Sequence, residues 1–530
     1  MVFPTAPQPR GTYILWRVFD FPTDRGSVRA VAIPSSWREP LTGLYSALVG
    51  LTFIQIWVIA VAIFIWRCEA RRASTARTQI VRVAHHEEEK FFKVWTWWRT
   101  KNRGSDDRHR REYAWLAGVF VIFATNLFLG PVLVQQLVLG DGAPANGDSL
   151  YFPAKWEKVT GSGTKNANIF KPSALRALGV AQLGTPSAVD RVQVSQVGLG
   201  HRPDSQAILG FDYSYNLTAR DYGMQRFGGL RFDVKGHCYT EYDWVDAKQD
   251  NLYHLWNNPA HSRDFNARQK AFPQLGLDSD NGNHIDGSLA VKFNWTAFVS
   301  TAAGFSSTNG TDPWYLTDFE KSGSDKSKIP IKSNRPVLSC WETNVWTLDN
   351  RDLGDSWTFY DKNNQAVAKI MRDIFYSQIG QQPAVVTTGR SLDTLNLAIS
   401  EQDTSTTFDA ASASILKDLR RLLVTTFVWN ANILLDTSLN ELAPKYDVPN
   451  LLENDRTGAA GFVVPTTDAT SMSLAFIIVV PCLLCFALLV GFCVDHMLSE
   501  KTKTFPCWSC GQGEQDEQGV GESRDKDKDT

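Results

Sequence analysis

Three uncharged apolar stretches, a basic connection between the first two, and Asn-x-Ser/Thr sequons confined to the run between the second and third predict a membrane protein. The expected architecture is three transmembrane α-helices and one large α+β extracytoplasmic domain. That domain reads as β-rich in its first half and helical in its last third.

Residues 1–40 read as an extracytoplasmic N-terminal segment. They mix Pro, Arg and Asp with short apolar pieces and lack the apolar h-region of a cleaved signal peptide, so insertion falls to the first span. The spans are 41–66, 113–139 and 472–494. A bilayer core about 30 Å thick takes roughly 20 helical residues to cross, and none of the three stretches contains Asp, Glu, Lys or Arg. Pro131 and Pro481 are expected to bend the second and third helices. Asn126, Gln135 and Gln136 offer hydrogen bonds between helices, and with them an oligomer formed through the spans. Spans without ionisable groups make a poor pore or proton path.

The connection 67–112 sets the orientation. It carries 13 Lys/Arg against 7 Asp/Glu, and such an excess marks a cytoplasmic loop. The N-terminal segment and the domain 140–471 then lie outside, and the tail 495–530 lies in the cytoplasm. The sequons at Asn216, Asn294 and Asn309 agree, because N-glycosylation acts on the lumenal side. Phe91, Phe92, Trp95, Trp97 and Trp98 lie among the loop's basic residues, which reads first as a topogenic charge cluster, with a helix lying on the anionic inner leaflet as the alternative. The lipid bilayer is thus the first partner the sequence names. The run His85–Glu89 reads as solvated charge rather than a metal site.

Cysteine placement follows the same partition. Only Cys238 and Cys340 fall in the outer domain, where disulfides persist. Bridging them closes a loop of about a hundred residues, worth on the order of 4 kcal/mol in the chain-entropy model. Cys482, Cys485 and Cys493 lie in the third span. Cys507 and Cys510, in FPCWSCG, lack two further zinc ligands and any βαβ context, which leaves reversible palmitoylation as their functional reading. The polar tail that follows is expected to be disordered.

Within the outer domain, 207–244 alternates apolar or aromatic with polar residues and is broken by Gly, as strands and turns are. Residues 364–379 and 411–428 space their apolar residues as amphipathic helices. Asp278, Asp280 and Asp286 approximate a calcium loop, but Gly282 and Asn283 occupy the wrong positions, so a solvated turn is expected. His201, His237, His254, His261 and His284 are candidate bases without a catalytic spacing, and no nucleophile elbow, Walker or dinucleotide fingerprint occurs. The sequence therefore nominates no catalytic, cofactor or metal residue. With 31 basic and 37 acidic residues and no basic stripe, the domain carries no nucleic-acid footprint. Its 9 tryptophans read mainly as core, with a sugar or lipid site as the alternative.

The layout, together with Cys340, Trp341, Glu342 and Trp346 in SCWETNVW, resembles the orphan membrane glycoproteins of filamentous fungi, some of which are encoded beside natural-product enzymes. The resemblance implies no catalytic residue and at most an accessory role in secondary metabolism. The expected function is an integral glycoprotein of the plasma membrane or another secretory-pathway membrane. Its outer domain would bind, sense or scaffold a protein or small molecule. The alternatives are a membrane-tethered enzyme acting on a lipid- or terpenoid-like substrate and an accessory subunit of a transporter.

Overall fold

The computed structural model describes residues 11–23, 26–70, 132, 134–148, 163–203, 206–245, 252–255, 258–264, 274–280, 292–300, 305–322, 328–332, 334–361, 367–380, 382–392, 395, 397–398, 407–439 and 458–503. Two compact units emerge, Met1–Pro40 with Leu137–Ala475, and Leu41–Gln136 with Phe476–Thr530. The strands used below are β1 (Val18–Thr23), β2 (Gly26–Pro34), β3 (Val138–Asp141), β4 (Gln193–His201), β5 (Ala207–Thr218), β6 (Leu230–Glu241), β7 (Gln274–Asp280), β8 (Lys292–Ser300), β9 (Val337–Leu348), β10 (Arg351–Gly354) and β11 (Ala469–Ser473). The helices are α1 (Arg38–Ala70), α2 (Gly163–Gln182), α3 (Lys369–Phe375), α4 (Ala384–Leu392), α5 (Ile415–Ala431), α6 (Ile433–Ser438) and α7 (Leu474–Lys503).

In the first unit, a small antiparallel sheet has the order β1-β2-β11-β3. Its strands border the apolar stretches. β2 precedes the first, β3 follows the second and β11 precedes the third. Thr470 stands opposite Ile33 on one side and Asp141 on the other, so residues 11–40 belong to the same folded body as the outer domain rather than forming a separate segment. The sheet also trims two span boundaries. Val138 and Leu139 are strand residues instead of the end of the second span, and Met472 and Ser473 are strand residues instead of the start of the third. Met472 is apolar because it is fully buried beneath this sheet, a demand that hydropathy alone does not separate from that of a membrane. The first helix begins at Arg38, three residues before the stretch read as a span. Pro34 ends the strand, a short turn over Ser35–Trp37 follows, and Arg38 is held by Asp141 at 3.2 Å.

The larger sheet is antiparallel in the order β7-β8-β9-β6-β5-β4, with β10 paired to β9. Alternation sorts its residues: Phe211, Tyr213, Tyr215 and Leu217 are buried, while Asp212 is exposed and Ser214 and Asn216 are half-buried. Helix α5 packs against α2, α4 and β5, so the helical layer covers the apolar face. Trp346 anchors this core, stacked on Phe359 with ring centroids 4.5 Å apart and flanked by Tyr222 and Phe375. The unit is thus a β-rich body with a helical C-terminal region. Helix α2, which precedes the strands and contains Pro172, was not anticipated.

The two helices read from periodicity start later than expected. Ser414 caps α5 by accepting from the Lys417 N–H (3.3 Å), and Asp409 caps the separate short turn Ala410–Ser412. A side-chain acceptor at each cap supplies the partner that the first turn's amides lack. The other helix begins at Lys369 and passes into a π-helical turn over Tyr376–Gly380.

In the second unit, α1 and α7 touch at two places. Tyr45 Oη donates to the Ile477 carbonyl at 2.9 Å, and Gln55 Oε1 lies 3.3 Å from where a Cβ on Gly491 would stand. The contacts occur in the same order along both helices, which therefore run parallel. Among the described residues, one helix is long and apolar enough to cross a membrane, α7 over Leu474–Val494 with mean hydropathy 3.0. Its Phe486, Leu489 and Phe492 side chains are exposed. The second apolar stretch up to 131, the basic loop past Ala70, and the tail past Lys503 with Cys507 and Cys510 lie outside the described residues.

Candidate functional site

The face of the larger sheet opposite the helices presents a row in register. Ser195, Asp212, His237, Trp341 and Asn294 stand directly opposite one another across β4, β5, β6, β9 and β8. Directly paired residues of antiparallel strands project to the same side. His237 Nδ1 lies 2.6 Å from Asp212 Oδ1, and the His237 ring is 6.1 Å from that of Trp341. The pair is open to solvent, with 28% of the His237 and 59% of the Asp212 side chain exposed. One end of this face is closed by a small cluster of Trp244, Tyr253, Leu255, Phe298 and Val337. What remains is a platform with a half-buried indole flanked by an imidazole, a carboxylate and a carboxamide. Such a set stacks on a flat or sugar-like surface and hydrogen-bonds its rim.

Beneath the platform, the buried face carries an ionisable group that the sequence reading passed over. Glu342, between outward Trp341 and outward Thr343, turns into the core and accepts from Tyr213 Oη at 2.8 Å. Trp295 Nε1 donates to the same phenol oxygen at 3.1 Å. Burial pushes the Glu342 carboxyl up to about 7, against the lowering effect of the Tyr213 hydrogen bond. Helix α5 supplies a second such group: Asp418 accepts from Tyr315 Oη and from the Ala398 N–H (2.8 Å), and burial raises it to about 7. Asp312, which accepts from the Ile415 N–H at the start of α5 (3.0 Å), is raised by burial to about 6. Strand alternation in SCWETNVW was the available signal for Glu342.

Among the residues expected from sequence, Cys238 and Cys340 are bonded, with S–S 2.07 Å and Cα–Cα 4.0 Å, and stand opposite each other on β6 and β9. Asn309 is exposed in a loop, with its Oδ1 accepting from Thr317 Oγ1 at 2.5 Å. Asn216 is half-buried on β5, where its Oδ1 accepts from Arg191 Nη2 at 3.2 Å. Arg191 also grips Asp221 at 2.8 Å. Burial would raise the Asp221 carboxyl, but the Arg191 hydrogen bond and charge hold it at about 2. Asn294 is half-buried beside Trp341. His237 is given a carboxylate by a register that no spacing reveals, while His284 lies outside the described residues. Asp278 and Asp280 end strand β7, and Asp278 engages Arg390 at 3.3 Å; Gly282, Asn283 and Asp286 lie outside the described residues. Cys482, Cys485 and Cys493 are free thiols on α7. Among the described residues, no group of three or more His, Cys, Asp or Glu side chains is placed to hold a metal.

Sandwich-like layering of a helix-backed antiparallel sheet, locked by one cross-strand disulfide, defines the class of domain. The chain belongs to the family described as a domain of unknown function (DUF8406), whose model matches residues 171–464. No curated protein and no solved structure matches the chain. The family match spans the larger sheet and its helices and carries no activity with it.

Proposed function

We propose that this chain is a three-span membrane glycoprotein whose outer domain binds a ligand or partner through the platform centred on Trp341. The supporting observation is the small sheet. Because β2, β3 and β11 are hydrogen-bonded neighbours, they share one side of any bilayer. A chain that crosses with α1 after Pro34 must therefore return before Val138, which calls for a second crossing in the stretch read as 113–139. The parallel run of α1 and α7 fits the same path. Exposed Phe486, Leu489 and Phe492 on α7 suit lipid, since contiguous apolar surface of this kind is costly in water. The basic loop and the three sequons support an outside position for the domain.

The binding role rests on the Trp341 row, whose stacking surface and mixed donors and acceptors suit recognition of a small polar ligand or a glycan. Sequential N216Q, N294Q and N309Q substitutions, read by deglycosylation shifts and protease protection in microsomes, test the topology. Cleavage of the domain without permeabilising the lumen overturns it. A glycan-array screen of the purified full chain against W341A tests the platform, with shared hits lost in the variant as the expected result. Hits retained by W341A reject that role.

A further inference from the structure

A cleft of about 160 Å³ opens where β1 and β2 meet the turn after β5, and it is bordered by Arg17, Arg29 and Arg226 with a single carboxylate, Asp20. Asp20 is occupied by Arg29 at 3.4 Å. Among the described residues, Arg17 and Arg226 have no acidic partner, so two exposed arginines from chain positions far apart border one recess. Each comes from a turn with backbone in the left-handed region: Trp16, just before Arg17, has φ 60°, and Phe227, just after Arg226, has φ 71°. Non-glycine residues in that region cost on the order of 1 kcal/mol each and persist where neighbouring structure imposes them. Here the imposing bonds are visible. The Trp16 N–H donates to the Ala32 carbonyl at 2.7 Å, and the Gln225 N–H donates to Gly461 at 2.9 Å. Gln225 Nε2 also donates to the carbonyls of Ala460 and Phe462, both at 2.9 Å. The arginines are thus carried by turns fixed before any ligand arrives, which reduces the ordering cost of binding.

We propose that this cleft is an anion site that takes a phosphate mono- or diester. Two arginines bordering one recess suit the tetrahedral array of phosphate oxygens, which arginine grips through paired N–H donors better than a point charge does. The source is either a lipid headgroup or a soluble phosphate. Two observations make the lipid arm worth separating. Arg17 follows Trp16, whose amide is tied to Ala32, and β2 runs from Ala32 through Pro34 to the start of α1 at Arg38. Trp16 and Trp37, on this same path, are 62% and 52% exposed, and tryptophan favours the headgroup layer.

The test uses the full chain in phosphate-free detergent and in vesicles. Thermal unfolding is followed as inorganic phosphate replaces chloride at constant ionic strength, and again in phosphatidylcholine vesicles with and without phosphatidic acid. Wild type is expected to be stabilised in at least one arm, and R17Q/R226Q to need about tenfold more of the anion, the equivalent of 1.4 kcal/mol. R231Q, which removes an arginine already paired with Asp233, is expected to behave as wild type. A response to phosphatidic acid alone assigns a lipid headgroup, and a response to inorganic phosphate assigns a soluble ligand. If the glutamine pair fails to fold, R17K/R226K keeps the charge and loses the fork, and weakened binding is again expected. Wild type silent in both arms, or arginine variants that respond as wild type does, overturns the proposal.

Discussion

Tyr213 reaches Glu342 across Gly236. The three residues stand in register on β5, β6 and β9, and a Cβ on Gly236 would come within 2.0 Å of the Tyr213 ring. The missing side chain on the middle strand is what lets a phenol span two strand spacings to a buried carboxyl.

Gly236→Ala is therefore expected to displace Tyr213 and strip Glu342 of its donor. Overpacking and a lost hydrogen bond to a buried acid together cost about 2–4 kcal/mol. Tyr213→Phe keeps the shape and removes only the donor, at about 1–3 kcal/mol. Denaturant unfolding of the purified chain measures both, and a Gly236→Ala protein as stable as wild type would contradict the packing described.

Stability is expected to rise as pH is lowered from neutral towards 5. Burial raises Glu342 and Asp418 to about 7 and Asp312 to about 6, so the folded chain keeps protons that the unfolded chain releases above about pH 4. Their contribution is complete below that point and is lost as pH climbs towards 7, by roughly 3–4 kcal/mol for each group shifted by two to three units. Asp221, held at about 2, acts in the opposite sense only below about pH 4. Unfolding temperatures between pH 5 and 7.5 test this, and Glu342→Gln should flatten the slope while still accepting from Tyr213. A wild-type profile that rises towards neutral pH would refute the assignment.

Glycan occupancy should follow exposure. Asn309 is exposed, with its Oδ1 accepting from Thr317 Oγ1, whereas Asn216 and Asn294 are half-buried, the first engaged by Arg191 and the second beside Trp341. Mass spectrometry of tryptic glycopeptides is expected to find Asn309 the most fully modified of the three. Full occupancy at Asn216 with an empty Asn309 would argue against this order.

The Cys238–Cys340 bridge should resist reductant until the chain unfolds, because Cys238 is fully buried and Cys340 is 3% exposed and exchange requires access for the attacking thiolate. Replacing both by Ala is expected to cost about 2–5 kcal/mol. Alkylation after mild reduction of the native protein reports the first expectation: labelling of either residue would show the bridge to be accessible.

Local period made much of this fold legible. Alternation in 207–244 marks β5 and β6, and compartment logic pairs two cysteines that lie 102 residues apart. Other features depend on which strand lies next to which. Asp212 and His237 are separated by a turn whose register decides that they meet, and Tyr213 reaches the inward-facing Glu342 because Gly236 on the intervening strand leaves room. The N-terminal strands escaped notice for the same reason, since the partner of β2 across the sheet is β11, at the far end of the domain. Asn216 read as an open acceptor because its neighbour Arg191 arrives from outside the sequon.

The order in which the small sheet is synthesised differs from the order in which it is joined. β11 lies between β2 and β3, and Thr470 is 329 residues from its partner Asp141. While the domain is being made, β2 waits with one edge unpaired and β3 waits without a strand partner in this sheet, and open strand edges invite wrong partners. The final strand to leave the ribosome closes both at once. A chain stopped short of Ala469 would leave β2 with a bare edge and β3 without its partner strand.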